Sequence, residues 1–308
     1  MKAQLIDEYR PAGKTFAVAA FTQRYLPRGK GAVPRHLGKV AGRKPMFLVT
    51  RHGARLVMAS NAWDVYATIA LNGGSWDYHD FVWCVNGILD SGVFYDVGAN
   101  VGYFSIEMAM KLGGAVEVVA FEPQTALAAA ITSSTMLNGM NNVKVVQAIV
   151  CDAARQTELY VAPASINSSA VADSGRPNVG MVQTQMIAID DLVEAAEIPP
   201  PDMVKMDVEG SEHLVFQGAH RTFRAHLPHI FLEYIARHDP GERVRQQVEQ
   251  LVGDCGELEV FGHVANDKVS GRPYPWFRMR SETDWQLIHS LFLKNAKRPV
   301  RDALFFEP

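Results

Sequence analysis

Three short segments of this sequence combine acids and glycines in ways that could do chemistry. The first is Tyr95-Asp96-Val97-Gly98-Ala99-Asn100-Val101-Gly102, an acid followed by a turn of small residues. Glycines let a backbone take φ > 0 and approach a ligand closely. A helix opening at about Gly102 would add free N–H groups and a positive dipole end, suited to a carboxylate or phosphate. The second is Phe121-Glu122-Pro123, 24 residues after Gly98. A carboxylate there can accept both hydroxyls of a ribose. The third is Lys205-Met206-Asp207-Val208-Glu209-Gly210-Ser211-Glu212, with three acids in six residues. Acids so dense repel one another unless Lys205, a metal or a cationic ligand compensates.

Each segment also has a plainer reading. The glycine turn could be a tight loop with no ligand, Glu122 an exposed glutamate, and Glu212 a helix-start residue next to Ser211. A dinucleotide is disfavoured, because the G-x-G-x-x-G fingerprint is broken: Asn100 stands at its second glycine. Further downstream, Glu233 interrupts the apolar run Ile230-Phe231-Leu232-Glu233-Tyr234, so a partner or a function is expected for it. His238 follows shortly. Asp207, Glu209, Glu233 and His238 are therefore the candidate catalytic groups. A hard cation on Asp207, Glu209 and Glu233 is conceivable through oxygen ligands, but no metal is predicted.

The elements that would position these residues alternate from residue 93 onward. Apolar runs at 93–97, 116–121, 143–150, 203–206, 230–234 and 258–261 read as strands. Helical spacing marks 103–112, 125–137, 211–223 and 242–252, with an extra hairpin strand at 157–161 and a last strand at 303–306. Such alternation predicts an α/β fold with a doubly wound, mostly parallel sheet, whose ligands sit beyond the carboxyl ends of the strands. All three segments fall just after strands. Upstream, residues 46–60 read as a hairpin turning at His52-Gly53, and residues 61–90 as two helices. Residues 1–45 read as an arm or poorly packed extension with one short amphipathic stretch at 15–26. Residues 1–60 are taken as arm and hairpin, and 61–308 as the main domain with its core at 93–235.

The order DVGANVGYFS, FEP, KMDVEGSE and FLEYI resembles the FkbM-type methyltransferases, a branch of the class I S-adenosylmethionine-dependent family. The resemblance covers residues 93–235. It implies a Rossmann-like, seven-stranded, mostly parallel sheet with an antiparallel last strand, and an O-methyltransferase acting on sugar or polyketide hydroxyls. It implies S-adenosyl-L-methionine as cofactor, its methionine part lined by Asp96, Gly98, Asn100 and Gly102. Ala99 and Asp207 join the cofactor-binding set. Glu122 would take the ribose, and Ala148 and Ile149 would pass the adenine. The acid that other class I enzymes carry near the adenine is missing, and Asp152 is the nearest candidate for it. Methyl transfer from a sulfonium needs in-line alignment in a dry site, and an alcohol acceptor needs a base to take its proton.

Composition narrows the context. The chain is 48% hydrophobic and 20% charged, as soluble globular proteins are. No stretch approaches the roughly 18–20 apolar residues of a membrane span, and no signal-peptide pattern opens the chain. Cys84, Cys151 and Cys255 form neither a disulfide framework nor a zinc pattern, which fits a reducing cytoplasm. Residues 1–55 hold twelve Lys/Arg against two acids, and the rest holds 18 against 31. The arm could bind phosphate, anionic lipid or nucleic acid, or lie on its own acidic body. The expected acceptor is a small molecule or glycan, with phosphorylated and lipid-linked forms open. Nucleic acid is not expected, because the body is acidic and Asp207-Val208-Glu209-Gly210 replaces an N-P-P-Y-type motif. A homo-oligomer is left open. The rival readings are a nicotinamide-dependent oxidoreductase and a cofactor-binding protein without catalysis.

Overall fold

In a computed structural model of the chain, residues 10–25, 33–34, 36–37, 45–75, 89–161, 180–234, 239, 241–264, 277–279, 285 and 288–298 are described. The first elements are α1 (Lys14–Tyr25), β1 (Met46–Val49), β2 (Arg55–Val57), α2 (Trp63–Leu71) and β3 (Gly92–Val97). Next come α3 (Tyr103–Leu112), β4 (Val116–Phe121), α4 (Thr125–Asn138), β5 (Val143–Val146), β6 (Ile149–Val150), β7 (Arg155–Val161) and β8 (Gly180–Ile187). The remainder holds α5 (Ile189–Glu194), β9 (Met203–Met206), α6 (Glu212–Gly218), α7 (His220–His226) and β10 (His229–Glu233). It closes with α8 (Arg243–Cys255), β11 (Leu258–Val264), β12 (Phe277–Arg278) and β13 (Ile288–Asn295). The chain divides into two compact units. One comprises Met1–Phe81, Gly98–Ile149 and Gln156–Gln185, the other Val82–Val97, Val150–Arg155 and Met186–Pro308.

In the first unit β4 and β5 pair in parallel, with Phe121 opposite Val146. The hairpin β1–β2 is present and is fastened to α4 by side chains. Val57 N–H donates to Ser134 Oγ at 2.8 Å, and Asn138 bonds both the N–H and the carbonyl of Arg55. The stretch at 15–26 is not a loose arm. It is helix α1, with Phe16 and Ala19 buried and the Phe16 ring edge-on to Trp63 at 5.6 Å. Trp63 supplies an apolar partner that lies 47 positions away in sequence, which is why local composition suggested poor packing.

In the second unit the strands lie in the order β12-β11-β13-β10-β9-β3. β3, β9 and β10 run parallel, and β13 is antiparallel to both β10 and β11. Apart from the two-residue β12, five strands of this unit form a mostly parallel sheet in an α/β fold, and β13 is the antiparallel one. The expected last strand at 303–306 lies outside the described residues, as does the second helix expected before residue 90. The side chains of β9 and β3 are buried on both faces, as parallel strands require.

Two readings of the pattern are corrected. The apolar run 143–150 is two strands: β5 pairs with β4, whereas β6 pairs in a different sheet with β8. The helical run 211–223 breaks into α6 and α7 at Ala219. A Cβ on Gly218 would stand 1.8 Å from the Cys151 carbonyl oxygen, so the helix end presses directly on that backbone. No described helix is long and apolar enough to cross a membrane.

Candidate functional site

In the first unit the site residues cluster on the turn Gly98–Gly102. Gly98 and Gly102 have φ of 78° and 76°, and Asn100 takes φ 53° between them. Asparagine tolerates this left-handed region better than most residues. The turn is anchored from both sides. Gly98 N–H and Ala99 N–H donate to the Phe121 carbonyl at 3.1 and 2.9 Å. Buried Glu122 accepts from Asn100 N–H at 2.8 Å through one oxygen and from Gln124 N–H at 2.9 Å through the other. A Cβ at Gly102 would meet Ile131 Cγ1 at 2.7 Å, so helix α3 can start there only on a glycine. Ala148 is buried at the bend between β5 and β6, its N–H donating to the Val146 carbonyl, and Ile149 is half-buried.

In the second unit the acids gather around a lysine. Asp96 on β3 and Lys205 on β9 stand opposite each other in register, 0% and 4% exposed. Lys205 Nζ lies 3.4 Å from Asp96 Oδ1 and 3.6 Å from Asp207 Oδ2. Burial works against its charge, but Asp96 and Asp207, with Glu233, outweigh that and hold its pKa above the ordinary lysine value. Carboxylate oxygens of Asp207, Glu209 and Glu233 lie within 4.8 Å of one another. A hard cation could be held at such a spacing. Glu233 is pushed up to about 8, first by burial, then by the charges of Asp207 and Glu209 and a hydrogen bond with Asp207. At neutral pH it therefore carries a proton that Asp207 can accept.

The loop that follows Asp207 is held by Glu212. Its Oε1 accepts from the N–H groups of Val208 and Gly210, each at 3.2 Å. Glu209 sits between them at φ 55°. Burial raises the pKa of Glu212. A small cleft beside this loop is lined by Glu209, Glu212, Glu233, Tyr234 and Asp239, among others. Tyr234 is pushed up to about 12, chiefly by burial, and its ring meets Trp285 edge-on at 5.6 Å.

Asp96, Asp207, Glu209 and Glu233 are thus brought together in one unit, and Gly98, Ala99, Asn100, Gly102 and Glu122 in the other. His238 lies outside the described residues. The sequence reading passed over Asp239 and Tyr234 as site residues. Asp239 accepts from the N–H groups of Arg243 and Val244 at 2.8 and 3.0 Å and so caps α8. An Asp just ahead of an apolar-periodic helix was the signal for it.

The family described as the methyltransferase FkbM domain matches residues 96–261. The chain belongs to that family. No curated protein matches the sequence. Among solved structures it is similar to an FkbM methyltransferase from Methylobacillus flagellatus KT, at 15% identity and TM-score 0.46. That alignment covers 76% of this chain and 55% of the other, so this chain spans little more than half of that relative's length. It is also similar to a precorrin-6y C5,15-methyltransferase from Geobacter metallireducens GS-15, at 16% identity, TM-score 0.36 and coverages of 71% and 86%. A third is fibrillarin from Aeropyrum pernix, solved with bound S-adenosyl-L-methionine, at 11% identity, TM-score 0.36 and 66% coverage of each chain.

Proposed function

We propose that the chain transfers a methyl group from S-adenosyl-L-methionine to a hydroxyl of a sugar, glycan or secondary metabolite. The observation that carries this reading is the cluster of Asp207, Glu209 and Glu233 around buried Lys205, in a chain of the FkbM family. The residues suit the cofactor. Glu122 fixes the turn through two backbone N–H groups, and a carboxylate at this strand end suits a ribose diol. Asn100 Oδ1 is buried and accepts no hydrogen bond among the described residues. The bound cofactor supplies an electrophilic methyl on a sulfonium.

The protein's own part is alignment and proton removal. Gly98, Ala99, Asn100 and Gly102 present a backbone free of bulk to the cofactor, with Ala148 and Ile149 assigned to the adenine. Asp207, hydrogen-bonded to Glu233, takes the acceptor's proton as the methyl group is transferred. Lys205 keeps a positive charge beside them and limits their mutual repulsion.

Binding of S-adenosylhomocysteine, followed by calorimetry, tests the cofactor assignment. No binding by the native chain overturns it. Labelled methyl transfer to a panel of sugars, phosphosugars, glycolipids and phenols tests the acceptor class. The expected product is a methyl ether, stable to mild base. Asp207→Asn should lower its formation by about 10²- to 10³-fold.

A further inference from the structure

One exposed surface lies outside the methyl-transfer machinery. Helix α1 buries Phe16 and Ala19, yet Val18, Phe21 and Tyr25 are 54%, 61% and 59% exposed. At 3.6 residues per turn these three fall within about 60° of one another, opposite the buried face. The rings of Phe21 and Tyr25 touch, with centroids 4.6 Å apart. A second observation is independent of the fold. From residue 9 to residue 63 the sequence contains eleven Lys/Arg and no Asp or Glu. Lys14, at the start of α1, and Arg10, four residues before it, are exposed.

We infer that α1 is a docking helix for an anionic membrane surface, with Val18, Phe21 and Tyr25 set into the headgroup boundary, Arg10 and Lys14 beside the lipid phosphates, and the net positive charge of residues 9–63 adding attraction. An apolar stripe with aromatic anchors, flanked by cations, is what an interfacial helix requires. Each Lys or Arg near an anionic leaflet adds attraction that salt weakens. The other occupants fit less well. A second copy would bring one basic stretch against another. The acidic part of the same chain would satisfy the charge but leave the apolar stripe nothing to gain. Nucleic acid would meet the cations but has no use for an aliphatic and aromatic stripe at helical spacing. The inference does not depend on the methyl-transfer reading.

Co-sedimentation of the full chain with phosphatidylcholine vesicles, with and without phosphatidylglycerol, tests it. Binding at least about tenfold stronger to the anionic vesicles is expected, falling as salt is raised. The double variant F21S/Y25S should lose about tenfold or more of that binding, and so should R10E/K14E. All four positions are exposed, so both variants should melt like the native chain, checked by circular dichroism. Equal binding to neutral and anionic vesicles overturns the proposal. So does native-like vesicle binding by either folded variant. A dimer that F21S/Y25S dissociates, with no vesicle binding by the native chain, overturns it in favour of self-association. Retention on RNA without vesicle binding overturns it in favour of nucleic acid.

Discussion

The turn Gly98–Gly102 and the turn Asp207–Gly210 are built by the same device and used differently. Each follows a parallel strand and each places one non-glycine residue in the left-handed region, Asn100 in the first and Glu209 in the second. Each is held by a buried glutamate that accepts two backbone N–H bonds, Glu122 at 2.8 and 2.9 Å and Glu212 at 3.2 Å twice. The residues presented differ. The first turn offers small neutral groups and backbone; the second offers carboxylates, one of them on a strained residue, beside a buried lysine. The frame and the chemistry are therefore separable: a buried carboxylate fixes each turn, and the residue at the left-handed position decides what the turn shows to a ligand.

The charge that distinguishes the second turn gives the largest expected effect. Lys205→Met strands Asp96, which is fully buried, and should cost about 3–5 kcal/mol of stability by chemical denaturation. A loss below about 1 kcal/mol would mean the lysine is not the counter-charge. Next is pH. The folded pKa of Glu233 is raised to about 8 from an ordinary 4.5. Its contribution to stability is complete below about pH 4.5 and is lost as pH rises through 8. That should be worth roughly 2–3 kcal/mol, allowing for its partial exposure and coupling. The melting temperature should fall across that window, and Glu233→Gln should flatten the fall.

Two smaller tests address the shared frame. Glu122→Gln puts an amide donor where an acceptor is needed, because both Glu122 oxygens accept, and Glu212→Gln removes the charge from the side chain whose one oxygen accepts both N–H bonds of its turn. Each should cost about 1–2 kcal/mol. Marked inequality between them would break the likeness. Glu209→Gly should relieve left-handed strain and raise stability by roughly 0.5 kcal/mol, whereas Asn100→Gly should change it by only a few tenths. Thermal melts of the pair distinguish the two.

Much of this was readable from the residues. The glycine turn, Glu122 and the acid-rich segment stand at strand ends, as the alternating pattern required. Glu233, a carboxylate inside an apolar strand, has a partner as its sequence suggests, in Asp207. Other features depended on distance along the chain. That Glu122 would hold the Asn100 backbone could not be inferred, because nothing local links residues 22 apart. The pairing of Asp96 with Lys205 rests on register between β3 and β9, over a hundred residues apart. β8 was missed although its exposure alternates: Thr184 and Met186 point in, Gln183 and Gln185 out. A polar inward residue hides a period-two signal. Next to the break at Ala219, Gly218 packs against the Cys151 carbonyl, a contact across 67 positions that periodicity cannot register.

The position of β13 has a consequence for synthesis on the ribosome. Leu291, Phe292 and Leu293 are completely buried, and the strand is inserted between β10 and β11. β10 emerges more than fifty residues earlier. At typical translation speeds its apolar edge would wait roughly 3–10 s for its partner. During that interval Ile230, Phe231 and Leu232 form an open strand edge of the kind that chaperones cover and that neighbouring nascent chains can pair with. Polysomes stalled before residue 288 should therefore be the most aggregation-prone stage in the life of this chain, whatever the stability of the finished fold.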